Sequence, residues 1–316
     1  MIGVDRKITV MLNTVREMQG DTDPLTALAE QLRDQDFSPQ DFELVVVDGL
    51  FPFRPGILGE QPFRTVHLGP KQTAAVRDRR CAISAYKNTG LAHARGEVIV
   101  TVDDCGVLSP GYLRRTWEAW SLRAECLSGL QRGLNSQNLN DSRAKLLQGD
   151  SYVGPMPMYG FAAFPLEAAL QVNGYDEAFD GSQGLEDIDM GHRLQQAGYR
   201  LSLRREHTFA LVPQCGWSVR VFGSPEDTLV KCCNHTWEIQ RSRNRVRANE
   251  QVWTDGDWAL IAPCCYLLDG ARCRYNNLTC GYRGLLADRE HPGLKSVREG
   301  QSVFDLAQVR KETLGL

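Results

Sequence analysis

Two apolar runs that end on carboxylates fix the kind of sheet this chain can build. Phe42-Glu43-Leu44-Val45-Val46-Val47-Asp48 and the run from Val98 to Val102 that leads into Asp103-Asp104-Cys105 are too rich in β-branched residues to be solvated on either face, so each reads as a strand buried on both sides. Residues 8–12 and 64–68 read as two more short strands. Between them, Asp23-Pro24 opens an amphipathic helix with Leu25, Leu28, Ala29 and Leu32 on one face. Residues 79–93 read as a second helix, interrupted near Asn88-Thr89-Gly90. The alternation implies an α/β fold, a mainly parallel sheet flanked by helices, and the ligands of such sheets sit at the carboxyl ends of the strands. Asp48 and Asp103 both lie there.

Further along, residues 110–123 read as a helix bearing Trp117 and Trp120, and the polar, Asn- and Ser-rich stretch 131–152 reads as a surface excursion. Residues 161–164 read as a strand and 166–172 as a short helix before an Asn173-Gly174 turn. A helix from Glu186 to Ala197 is stopped by Gly198, whose missing Cβ tolerates the left-handed conformation after a last turn. Beyond about residue 221 the chain changes character, with paired cysteines and an arginine-rich run. The expected division is a catalytic domain over 1–220 and a C-terminal extension over 221–316.

A net charge of −3 gives no global attraction to nucleic acid or anionic membrane, so any polyanion contact must be a local patch. The first residues lack an apolar leader and the apolar stretch 258–268 is too short to span a bilayer. The expectation is a soluble cytoplasmic protein without membrane insertion. The ten cysteines are then expected to be mostly reduced.

Chemistry enters with the carboxylates. Asp103 and Asp104, directly after a strand, suit a divalent cation, Mn²⁺ or Mg²⁺, carrying a diphosphate whose charge grows as a bond to it breaks. The plain reading of such a pair is a turn or a helix cap. A second cluster, Glu186-Asp187, opens a helix behind the Gly-rich loop Asp180-Gly181-Ser182-Gln183-Gly184. The helix dipole favours the ionised form of Asp187, as a general base requires, and Glu186 beside it can orient it or an acceptor hydroxyl.

These residues carry a resemblance. Lys87-Asn88-Thr89-Gly90-Leu91-Ala92-His93-Ala94-Arg95-Gly96-Glu97-Val98-Ile99 running into Val102-Asp103-Asp104 resembles the signature of family-two-like glycosyltransferases with the GT-A fold. So does Val172-Asn173-Gly174-Tyr175-Asp176-Glu177-Ala178-Phe179, continuing through Glu186-Asp187-Ile188-Asp189 to Gly198-Tyr199-Arg200. The start, Ile8 to Thr14, and Val45-Val46-Val47-Asp48 fit the same pattern, so the likeness covers about residues 7–212.

The resemblance implies a nucleotide-sugar-binding GT-A fold and an inverting transfer from a nucleoside-diphosphate sugar to an acceptor hydroxyl. Thr14 and Asp48 would line the nucleobase and ribose pocket, with Asn88 also on the donor side. Asp103 and Asp104 would face the ribose and the metal-diphosphate, and Asp187 would deprotonate the acceptor. Two departures stand out. Asn13 replaces a usual proline, and Cys105 stands where relatives carry the last acidic residue of the metal motif, although hard cations prefer oxygen.

A late histidine often completes the metal shell in this fold. His235 is the first candidate and His207 the second. Within the run Arg241, Arg243, Arg245 and Arg247, Arg241 and Arg245 are the candidates for gripping the donor diphosphate or a polyanionic acceptor through forked hydrogen bonds, unless the run is a solvated helix face. Cys232, Cys233, His235, Cys264, Cys265, Cys273 and Cys280 are a weak candidate set for a structural zinc site, since their spacings include no C-x-x-C pair, and the plain reading is buried thiols. The extension and the excursion are expected to shape the acceptor side, and the acceptor is a saccharide or a hydroxylated DNA base; the arginine run and Trp237, Trp253 and Trp258 keep DNA in play. The alternative is a GT-A module that binds nucleotide or carbohydrate without catalysis.

Overall fold

The computed structural model describes residues 3–14, 23–73, 76, 82–154, 158–175, 177, 186–212 and 305–316. Its strands and helices, in chain order, are β1 (Arg6–Thr14), α1 (Pro24–Arg33), β2 (Phe42–Asp48), β3 (Arg64–Leu68), α2 (Ile83–His93), β4 (Gly96–Asp103), β5 (Gly106–Leu108), α3 (Tyr112–Arg123), β6 (Glu125–Ser128), β7 (Leu130–Arg132), β8 (Ser151–Val153), β9 (Ala162–Pro165), α4 (Leu166–Gln171), α5 (Glu186–Gln196), β10 (Arg200–Arg204), β11 (Thr208–Leu211) and α6 (Leu306–Leu314).

Among the described residues the main sheet has eight strands in the order β3-β2-β1-β4-β9-β6-β10-β8. The β3-β2-β1-β4 part is parallel throughout. Beyond it, β9 runs antiparallel to both β4 and β6, β10 is parallel to β6, and β8 is antiparallel to β10. A smaller sheet, β5-β11-β7, lies apart. The expected mixed, mainly parallel sheet is therefore present.

Strand parity divides the core into two. Ile8, Val10 and Leu12, with Phe42, Leu44 and Val46 and with Val98, Val100 and Val102, pack against the α1 side chains Leu25, Leu28, Ala29 and Leu32. Met11 and Ile99 face the other way, toward Leu91 and Ala92 of α2. Side chains alternate along a strand, so burial of both parities is what a sheet covered on both faces requires. The α1 helix begins where Asp23 caps it, its carboxylate accepting from the Leu25 amide at 2.8 Å, with Pro24 in the first turn.

The structure departs from the sequence reading in two places. Helix α2 passes through Asn88-Thr89-Gly90 without interruption. Gly90 is there for closeness, because a Cβ at that position would stand 2.3 Å from the Met11 sulfur; the glycine lets the helix lie on the sheet. The polar stretch 131–152 is no free loop: it holds β7, the 3-10 turn Ser142–Leu146 and β8. Arg143 fastens it, donating to Asp141, to Ser128 Oγ at 2.6 Å and to the Gly129 carbonyl at 2.6 Å.

Of the expected extension, residues 305–316 are described, and their helix packs on α2. In α6, Leu306 is fully buried and its amide donates to Asn173 Oδ1 at 2.8 Å, while Arg310 donates to the Leu91 carbonyl of α2 at 2.9 Å.

Candidate active site

The carboxyl edge of the parallel strands is built by register. Thr14 at the end of β1 lies opposite Asp48 at the end of β2, and Asn13 lies opposite Asp103 at the end of β4. Residues from three strands thus meet on one edge, as the parallel topology requires.

Asp48 is fully buried. It accepts from the Leu50 amide at 2.8 Å and lies 3.1 Å from His67 Nε2, with Arg54 3.9 Å away. Thr14 donates its hydroxyl to Asp104 Oδ2 at 2.8 Å, joining the first strand to the metal-motif candidate. Asp103 is exposed at the strand end, beside the half-buried Asp104. Gly160 makes room for the Asp103 carboxylate, since a Cβ there would stand 2.0 Å from Asp103 Oδ2. Gly160→Ala is accordingly expected to push that carboxylate aside while the fold survives, because the obstructed atoms are the end of one side chain. If Asp103 serves turnover of a nucleotide-sugar donor, a displacement near 1 Å should lower it by about a hundredfold, with Tm almost unchanged in a thermal melt.

The second cluster comes to the same place through Lys87. This lysine is 5% exposed on α2, its ammonium lies 3.0 Å from Glu186 Oε1, and it sits 4.6 Å over the Tyr175 ring. Burial pulls the Lys87 pKa down, but Glu186, Tyr175, Asp187 and Asp103 more than reverse this and leave it raised. One buried ammonium thus lies in the fields of both carboxylate clusters, which are about eighty residues apart in sequence. Tyr175 is pushed up to about 12, chiefly by burial, with Glu186 and Asp187 adding to it.

Asp187 is half-buried in the first turn of α5, and its backbone carbonyl accepts from the Met158 amide at 3.1 Å. Its neighbours in the sequence have other work. Glu186 is ion-paired with Lys87, and Asp189 is 1% exposed and bound to Arg193 at 2.7 Å. Arg193 also donates to the carbonyls of Val172 and Gly174, so Asp189 ties α5 to the Asn173-Gly174 turn and does not face a substrate.

Asn88, expected on the donor side, is 1% exposed. Its amide nitrogen donates at 2.8 Å to both the Tyr175 carbonyl and Glu177, and its oxygen accepts from the Tyr175 amide. It is a clasp between α2 and the segment that follows α4, completed by the Lys71–Glu177 ion pair. Sequence reasoning overlooked Lys87, although a lysine in a helix otherwise buried on this stretch was the available signal.

His207 is no metal ligand. It is fully buried, lies 2.9 Å from Thr116 Oγ1 and packs against the Tyr112 ring, tilted by 33°, at 4.0 Å between ring centroids. Burial, helped by Arg115, pushes its pKa down to about 3. The folded state keeps this ring neutral while the unfolded chain takes up a proton below about pH 6.5. Its contribution to stability is therefore full above that pH and is lost as pH falls toward 3. Between pH 6 and 4, His207→Gln is expected to remove up to about 1.4 kcal/mol per pH unit from the slope of unfolding free energy, read from urea melts.

Cys105 is disulfide-bonded, which takes its thiolate out of the ligand set. Cys126 is a free buried thiol whose pKa burial pushes up. His235, Arg241, Arg243, Arg245, Arg247 and the other cysteines of the extension lie outside the described residues. Among the described residues, no three His, Cys, Asp or Glu side chains form a ready-made metal cluster. No described helix is long and apolar enough to cross a membrane. A cavity of about 730 Å³ lies away from these carboxylates, lined by Arg115, Arg132, Arg205 and Asn138 among others.

No protein-family model matches the chain, and no curated protein matches it by sequence. Solved structures do. Over 92% of this chain and 79% of the other, it superposes on S. aureus TarS 1-349 in complex with UDP-GlcNAc, with a TM-score of 0.57 at 14% identity. The chain has a GT-A fold. A structure of GalNAc-T7 with UDP, GalNAc and Mn²⁺ matches with a TM-score of 0.54 at 11% identity, covering 84% of this chain and 58% of the other. These neighbours are GT-A-type glycosyltransferases. In the GT-A frame the edge formed by Thr14, Asp48, Asp103 and Asp104 is the carboxyl edge of the parallel strands, and Lys87 lies in the fields of both Asp103 and Asp187.

Proposed function

We propose that this protein is an inverting glycosyltransferase that moves a sugar from a nucleoside-diphosphate sugar to an acceptor hydroxyl. The observation that carries the reading is the convergence on Lys87 of Asp103 from the strand edge and Glu186-Asp187 from the start of α5, within a GT-A fold.

The donor side is assigned to Thr14 and Asp48, with Asn88 acting from behind by holding the Tyr175 and Glu177 backbone and side chain in place. Asp103 and Asp104 fit a divalent cation: two hard carboxylates side by side at an open strand end supply part of an oxygen shell, and a diphosphate and water would supply the rest. Such a cation, when bound, offsets the charge that develops on the leaving diphosphate. Asp187 takes the proton of the acceptor hydroxyl as its oxygen attacks the anomeric carbon. The bond from that carbon to the diphosphate oxygen breaks on the opposite face, so the configuration inverts and the nucleoside diphosphate leaves with the bonding electron pair. The acceptor class is a saccharide or a hydroxylated DNA base.

A thermal-shift screen of nucleoside-diphosphate sugars with Mn²⁺ or Mg²⁺, followed by assays on oligosaccharides and hydroxymethylated DNA, tests the reading. A transferase should stabilise with one donor and slowly release its sugar to water without acceptor. A module that binds without catalysis would show the shift and no release.

A further inference from the structure

We propose that Lys87 is a positioning residue that holds Asp187 in place at the start of α5 by gripping Glu186. The inference rests on the reading of Asp187 as the base. Glu186 is the first residue of α5 and Asp187 the second, so whatever fixes the Glu186 carboxylate fixes the entry of the chain into that helix. What fixes it is an ion pair with both side chains almost entirely buried, 6% and 7% exposed, at 3.0 Å. The pair joins α2, which is seated on the sheet through Gly90, to an α5 whose other anchor is Asp189–Arg193 on the Val172 and Gly174 carbonyls. Tyr175 closes the arrangement beneath the ammonium at 4.6 Å.

A buried ion pair that merely supported the fold could be exchanged for well-packed apolar residues with little loss, because desolvation cancels much of its Coulombic gain. A pair that sets the place of a neighbouring base could not. The deciding variants are therefore Lys87→Met/Glu186→Leu, which leaves no buried charge unpaired, and Lys87→Arg, which keeps the cation. Donor turnover is measured at saturation together with the donor KM, with a thermal melt to establish folding. The double variant is expected to melt near the wild type, lose about a hundredfold in kcat and keep donor KM within a few-fold. Lys87→Arg is expected to retain kcat within about tenfold.

Wild-type kcat in the folded double variant would overturn the proposal. So would a loss confined to donor KM, which would put Lys87 on the donor side instead, or equal losses in the double variant and Lys87→Arg. An absence of donor turnover in the wild-type protein would overturn the transferase reading and this inference with it, whereas the preceding outcomes leave that reading standing.

Discussion

Asp187→Asn is expected to leave the fold and donor binding intact while transfer falls by about a hundred- to ten-thousand-fold, the range for loss of a general base. The asparagine has the size of the aspartate and retains hydrogen-bonding capacity, but it cannot take a proton at neutral pH. The contact that fixes this residue in the chain, the Met158 amide on the Asp187 carbonyl, is made by the backbone and survives the substitution. Lys87 loses a nearby negative charge but keeps Glu186 at 3.0 Å. Steady-state transfer with donor and acceptor both saturating is the measurement, with donor affinity by calorimetry as the control. Near-normal transfer would remove Asp187 from the mechanism. Asp189 would not inherit the role, because Arg193 holds it in the interior. Glu186→Gln should lower transfer through position and not proton transfer, so its effect should resemble that of the Lys87 double variant.

The parallel half of the fold was legible in the sequence because its signals are local. The strand Phe42–Asp48 and the face formed by Leu25, Leu28, Ala29 and Leu32 follow from apolar spacing, and both are found as read. Helix α2 was misread at Asn88 to Gly90 because glycine and asparagine usually mark a break, whereas here the glycine answers a close approach to Met11 and the asparagine a long-range clasp on Tyr175. Neither partner is near in sequence, so local propensity had no access to them. The same limit explains the site. Asp103, Asp104 and Asp187 announce themselves by lying at the end of an apolar run or the start of a helix. Lys87 reads as an ordinary helix lysine until the fold brings Glu186 to it across ninety-nine positions. His207 erred in the opposite direction: a histidine late in the chain suggested a ligand, and only the packing of Tyr112 and Thr116 around it shows a core residue.

Asp104→Ala is expected to abolish the help that a divalent cation gives to donor binding. Metal charge stabilisation is worth several kcal/mol, so donor affinity in Mn²⁺ should drop by about two orders of magnitude or more. The alanine also removes the Asp104 oxygen that accepts from the buried Thr14 hydroxyl, which costs stability on its own account. Asp104→Asn separates the two effects. Its side-chain oxygen can still accept from Thr14, while the negative charge that favours a hard cation is gone. Both variants should bind the donor weakly and equally with or without Mn²⁺, whereas the wild type should fall to their level when the cation is chelated. Donor titrations by calorimetry in Mn²⁺ and in chelator decide the matter. If Asp104→Asn keeps the full Mn²⁺ enhancement, Asp104 serves Thr14 and not the cation, and Asp103, standing exposed against Gly160, becomes the carboxylate on which any metal site at this edge depends.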